Sequence, residues 1–225
     1  TTMNAFVQEI NKVSNKKIVT LEDPIEYVHE SDKSIIVQRE IGPESDVLSY
    51  YDGLINLLRE DADVAVDGEI RDRKTMDVAI DLAESGGLVI GTLHTRSCGE
   101  TLERIINLYD PADQVSIKNT MSNVLKIVIS QKLVVSVKDE LLMVPEIMIV
   151  NNSIAAHIRQ EKFSTSDIED AIHAQSENGS LSFELSFADL YTRGLIEMQT
   201  IIDNIPPERL EIVKSNIISS GKNLN

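Results

Sequence analysis

The sequence predicts an α/β fold with a mostly parallel sheet, followed by a small helical domain, and three observations carry that prediction. Short β-branched runs alternate with helical spacing through the first part of the chain. The core must be aliphatic: the 225 residues are 42% hydrophobic but only 4% aromatic, with no Trp, which suits strands buried on both faces beneath helices. From Asn151 onward the pattern is helical, broken at Ser, Asn-Gly and Pro-Pro positions. The length allows one α/β domain and a small second one, so we expect a core over 1–150 and a helical domain over 151–225.

Taken in order, Phe6, Val7, Ile10 and Val13 mark one face of a first helix. Lys17 to Leu21 reads as a buried strand, stopped by Pro24 after the acidic group Glu22-Asp23. Ile35 to Val37 is a second strand, followed by a loop around Gly42-Pro43 and a helix over 49–59. Val64 to Val66 is a third strand, with Asp67-Gly68-Glu69 at its end. Lys74 to Glu84 is helical by spacing and ends at Gly86-Gly87. Leu88 to Ile90 is a fourth strand running into Thr92-Leu93-His94-Thr95. Gln114 to Ser130 reads as one long amphipathic helix, and 132–137 with 141–150 as a hairpin. Helices near 151–160, 164–175, 181–193 and 206–219 complete the chain.

A formal charge of -16 argues against gripping nucleic acid or lying on an anionic membrane, since either partner would be repelled. One cysteine, Cys98, excludes an internal disulfide and a thiolate zinc site, and reads as a small buried residue. No apolar run approaches bilayer length and no signal peptide is visible, so a cytoplasmic location is the expectation. The abrupt start at Thr1-Thr2, directly in helical spacing, is expected of a cut inside a longer protein.

In doubly wound sheets ligands gather at the carboxyl ends of strands, and Glu22-Asp23, Glu69 and His94 all fall at such ends. Hydrolysis of a phosphoanhydride needs a phosphate cradle, a divalent cation and a carboxylate that orients or deprotonates water. The last two requirements have candidates here. A Gly-x-x-x-x-Gly-Lys-Ser/Thr cradle does not: Gly221-Lys222 is the only Gly-Lys pair, and Asn216 stands where the first glycine should be. Poor ATP binding by residues 1–225 alone is therefore the expectation. Arg39 and Arg59 are candidates for bringing positive charge to a nucleotide or a neighbouring subunit, or are surface arginines.

The segments Thr20-Leu21-Glu22-Asp23-Pro24-Ile25-Glu26, Asp67-Gly68-Glu69-Ile70-Arg71-Asp72 and Gly91-Thr92-Leu93-His94-Thr95 resemble, in this order, the acidic box, Walker B region and histidine box of secretion and pilus ATPases. The likeness extends through Ile129 to Leu133 and Pro145 to Met148, and more weakly to about residue 204. It implies a RecA-like P-loop NTPase core that binds ATP and Mg²⁺. In that family Thr-Thr follows the phosphate loop, which is where Thr1 and Thr2 fall. By resemblance Glu69 polarises water, Glu22 and Asp23 hold Mg²⁺ and its waters, Glu26 supports them, and His94 senses the γ-phosphate. The plainer readings are a solvated carboxylate for Glu69, a turn pair for Glu22-Asp23 and a loop histidine for His94.

Assembly and export members of the family carry a four-cysteine module that this chain lacks, so the likeness is to the retraction branch, which powers twitching motility. The resemblance implies a homo-hexamer working on an inner-membrane pilus platform protein, at the inner face of the membrane without insertion into it. Two alternatives are a catalytically impaired regulatory subunit of the same ring and a pilus assembly or type II secretion ATPase. Four departures stand out: Gly87 replaces a histidine, Asp67 replaces an aliphatic residue, the loop over 41–46 is longer and lacks an arginine, and in 153–160 only Ile154, Ile158 and Arg159 match. Asp67, two residues before Glu69, is either an added Mg²⁺ ligand or a like charge that raises a pKa.

Overall fold

The computed structural model describes residues 2–221, which divide into two compact units, 2–94 and 95–221. In the first, helix α1 (Thr2–Val13) leads into strand β1 (Lys17–Glu22), then β2 (Ile35–Glu40), α2 (Tyr50–Leu57), β3 (Val64–Asp67), α3 (Arg73–Glu84) and β4 (Leu88–Gly91). The strands form one parallel sheet in the order β2-β1-β3-β4. Leu21 pairs with Asp67 and Asp67 with Gly91, so the ends of β1, β3 and β4 lie side by side.

Alternation along each strand decides what every side chain can reach. Ile18, Ile36, Val64, Val66 and Ile90 pack with Val7, Met3 and Ile10 of α1 on one face. The residues between them in sequence point to the other face, where Leu21 touches Gly53 of α2 so closely that a Cβ there would come within 2.7 Å. On α1 the buried stripe is therefore Met3, Val7 and Ile10, while Phe6 and Val13, expected on the buried face, are exposed. The helix runs antiparallel to the strands. Asn11 bonds the backbone at Asp32 and Ser34, just before β2, whereas Gln8 and Asn4 reach His29, whose N–H bonds Gln38 near the end of β2. The amino end of α1 thus lies toward the carboxyl edge of the sheet.

The second unit holds α4 (Cys98–Asn107), α5 (Gln114–Val124), an antiparallel hairpin of β5 (Ile127–Val135) and β6 (Leu141–Ile149), then α6 (Asn152–Ile158), α7 (Thr165–Ala174), α8 (Phe183–Thr192), α9 (Met198–Asn204) and α10 (Leu210–Ser219). The expected helix over 114–130 ends at Val124. Ile127-Val128-Ile129 are β-branched and pair in register with Ile149, Met148 and Ile147, and a ladder satisfies more backbone groups than a frayed helix end would. Helix α4 and helix α9 are additions to the expected elements. The hairpin contributes Val134 and Val144 to one core with Phe183, Phe187, Ile201, Val213 and Ile217. That packing makes the hairpin part of the helical unit, and by compactness the chain divides after His94.

Cations in this unit close helix ends. Lys132 donates to the carbonyl of Asn204, the last residue of α9, and sits 4.5 Å over the ring of Phe183. Lys118 donates to the carbonyls of Gln160 and Glu161 beyond α6. Arg209 is buried and bonds Glu184 and Asp170 (2.9 Å), with Glu169 at 3.7 Å. No described helix is long and apolar enough to cross a membrane.

Candidate active site

At the carboxyl edge of the first unit, the Asp67-Gly68-Glu69 turn carries the catalytic candidate out of β3. Gly68 is required there: a Cβ would stand 2.8 Å from the Tyr50 hydroxyl and 2.9 Å from the carbonyl oxygen of Leu21. The turn is tied on both sides, by the Gly68 N–H to Leu21 O (2.9 Å) and the Ile70 N–H to Thr92 O (2.9 Å), with the Thr92 hydroxyl donating to the Gly68 carbonyl. These bonds fix the ends of β3 and β4 against each other. Glu69 Oε2 consequently lies 3.8 Å from His94 Nε2 and 2.6 Å from Arg71 Nη2. His94 reaches this position with φ of 52°, a left-handed backbone that costs a non-glycine residue energy and is seen most often where function demands it.

The expected residues separate into groups. Glu69 and His94 meet. Glu22 leaves β1 on the α1 face, accepting from Thr20 Oγ1 (2.6 Å) and Gln38 Nε2 (2.9 Å), and exposed Asp23 follows it. Thr2 opens α1 toward the same edge, and Thr1 lies outside the described residues. Arg39 faces the opposite side of the sheet and is held by Glu60 at 2.9 Å, away from the strand-end carboxylates. Arg59 is exposed in the turn after α2.

Asp67 does not join Glu22 and Asp23 in one metal site. Strand parity points it, like Ala65, to the α2 face, and it is fully buried there, with Oδ2 lacking any hydrogen-bond partner. Among the described residues no group of three or more His, Cys, Asp or Glu is arranged to hold a metal ion. Burial, with Glu69 and Asp72 adding repulsion, pushes its pKa up to about 7 against the bond from the Glu69 amide. Tyr50, whose phenol leans over Gly68, is pushed up to about 12 by burial and then by Asp67, Asp23 and Glu69. The edge is therefore strongly negative. That field fits a divalent cation, and it would repel a triphosphate arriving without one.

Gly87 lies at the opposite end of the same sheet. It precedes β4 beside the carbonyls of Leu82, Ala62 and Asp63, about 13 Å of strand from the carboxyl edge. A histidine at this position would not reach the Glu69–His94 pair within the same subunit. Sequence reasoning missed Tyr50 and Thr92 as parts of the site. An aromatic at a helix start gives no signal of its reach, and Thr92 stands out only as part of a motif.

Comparison with known proteins matches residues 1–180 to the family model described as type II/IV secretion system protein. The chain is 34% identical over 199 residues to the type IV pilus retraction ATPase PilT of Pseudomonas aeruginosa, covering 88% of this chain and 57% of that protein. It is 36% identical over 197 residues to a twitching motility protein of Neisseria gonorrhoeae, covering 87% and 52%. It thus spans little more than half the length of these relatives. A crystal structure of the pilus retraction motor PilT with bound ADP superposes with a TM-score of 0.84 at 33% identity, covering 94% of this chain and 59% of that one. The DotB ATPase of Legionella pneumophila shares the fold at a TM-score of 0.79 and 22% identity. The architecture is RecA-like. With strand order, edge geometry and sequence in agreement, the chain belongs to the type II/IV secretion system protein family.

Proposed function

We propose that this chain is the catalytic part of an ATP-driven motor that retracts type IV pili. The single observation that carries the reading is the meeting of Glu69 and His94 across the ends of β3 and β4, in a chain at least a third identical over most of its length to proteins named for retraction and twitching. The residues fit ATP with Mg²⁺: Glu22 and Asp23 close β1 and would hold the cation and its waters, Thr2 opens the helix toward the same edge, and the acidic field calls for a cation. Mg²⁺ would neutralise phosphate charge and help orient the triphosphate when bound.

Glu69 accepts a proton from the attacking water. Arg71, at 2.6 Å, holds its carboxylate, and His94 reports on the group that the water attacks. We place the division between motor core and C-terminal domain near residue 150, the assembly as a ring of six, the partner as an inner-membrane platform protein, and the location as the cytoplasmic face of that membrane. The impaired-subunit reading loses its main support, since Gly87 lies far from the pair. The assembly or secretion reading is disfavoured by the single cysteine.

Steady-state ATPase measurement on the full-length protein beside its Glu69→Gln form tests the proposal. Turnover should fall by about a hundred-fold or more in the variant. Equal, background-level rates in both would remove the motor.

A further inference from the structure

Among the described residues at this edge, Asp67 is a buried ionisable group that the proposed chemistry leaves without a task. It is fully inaccessible, points to the α2 face, and has one oxygen with no partner. A carboxylate in such a place costs stability. Its other oxygen, Oδ1, accepts the backbone N–H of Glu69 at 3.4 Å.

The neighbouring backbone shows what that contact governs. Gly68 donates its N–H to Leu21 O, leaves no room for a Cβ beside the Tyr50 hydroxyl, and has its own carbonyl taken by Thr92. Ile70 is anchored through its N–H to Thr92 O. The flanking residues therefore cannot slide. The Gly68–Glu69 peptide is planar and is held at its two ends, its carbonyl by the Thr92 hydroxyl and its N–H by Asp67 Oδ1, so loss of Asp67 leaves a single hold against its rotation. A small rotation there, projected along the Glu69 side chain, moves its carboxylate relative to His94 and Arg71.

We infer that Asp67 is a positioning residue for Glu69, gripping the Glu69 amide from the α2 face of the sheet through an acceptor oxygen rather than through its negative charge. The inference rests on the reading of Glu69 as the catalytic carboxylate, and the test separates the two.

In the full-length protein, Asp67→Asn keeps the acceptor and Asp67→Val removes it. The asparagine form should keep kcat within about three-fold, while the valine form loses about ten- to a hundred-fold in kcat with KM for ATP within about two-fold, since misplacement by an ångström costs rates of this order. Hydrogen exchange at the Glu69 amide, followed without nucleotide, should accelerate by about ten-fold or more in Asp67→Val and stay near wild type in Asp67→Asn. Asp67→Ala is a second acceptor-free variant in case the valine form does not fold. An acceptor-free variant with wild-type kcat and unchanged exchange would overturn the inference, as would an asparagine form as damaged as the valine form, which would assign the role to charge. If Glu69→Gln leaves turnover unaltered, the catalytic reading has failed by itself, and amide exchange still decides whether Asp67 holds Glu69.

Discussion

Each unit of this molecule buries carboxylates, and the two units treat them in opposite ways. In the second, Glu184 is nearly inaccessible but meets the guanidinium of Arg209, which also takes Asp170 and lies near Glu169. In the first, Asp67 is as deeply buried, yet its nearest charged neighbours include Glu69 and Asp72 and one of its oxygens bonds nothing. Compensated charge of the first kind holds elements together. Uncompensated charge of the second kind destabilises, so it persists where something other than stability selects it.

The sharpest way to break this comparison is to remove the compensation. Arg209 precedes α10 and ties it to α7 and α8. Replacing it by methionine keeps the volume and leaves Glu184 buried without a partner. Denaturant unfolding of Arg209→Met should show a loss of about 3–5 kcal/mol, the usual result of removing one member of a buried ion pair. A loss below about 1 kcal/mol, the range of exposed pairs, would mean that the cluster is too wet to matter and that the contrast between the units is only one of position.

Glu146 is an intermediate case within the second unit. It is buried, and its Oε2 accepts the Cys98 N–H at 2.6 Å, but burial first, with help from Glu169 and Glu184, pushes its pKa up to about 7. The folded state thus holds a proton that the unfolded chain releases at ordinary carboxylate pH. Stability from this group is fully present below the unfolded value and is lost as pH rises through about 7. Glu146→Gln retains an acceptor oxygen and removes the charge. Its stability should match wild type near pH 4 and exceed it by about 2 kcal/mol at pH 8. Thermal denaturation across that range checks this, and a pH-independent difference would show that Glu146 titrates alike in the folded and unfolded chain.

The convergence of Glu22-Asp23, Glu69 and His94 on one edge is legible in the sequence, because each group follows a β-branched run and parallel strands put their ends together. Strand parity is legible only in part. That Asp67 and Glu69 share parity follows from counting, but whether Asp67 shares a face with Glu22 depends on the register Leu21↔Asp67, which one strand alone does not reveal. The same gap makes Arg39 a nucleotide candidate by sequence, whereas in the fold Glu60 holds it on the far face. The start of the hairpin is ambiguous in sequence because Ile127, Val128 and Ile129 satisfy helical and strand spacing alike, and pairing with Ile149, Met148 and Ile147 decides between them.

The smallest expected effect sharpens the comparison most, because stability and function should move apart at one residue. Burial holds Asp67 at about 7, so in the folded state it is neutral in mild acid and charged above neutrality. The asparagine form loses nothing in acid, where both side chains are uncharged. Above pH 7 it should be more stable than wild type by about 1 kcal/mol, because only the wild type then holds a buried charge. Equilibrium unfolding below pH 4, where the unfolded carboxyl is protonated as well, and at pH 8 measures the difference. A gain at both pH values would trace to packing, whereas a loss at pH 8 would show that the charge is compensated by a group on the α2 face. A gain confined to pH 8, in a form whose Glu69 amide remains protected, would identify the acceptor oxygen as what the site keeps and the charge as what the fold bears for it.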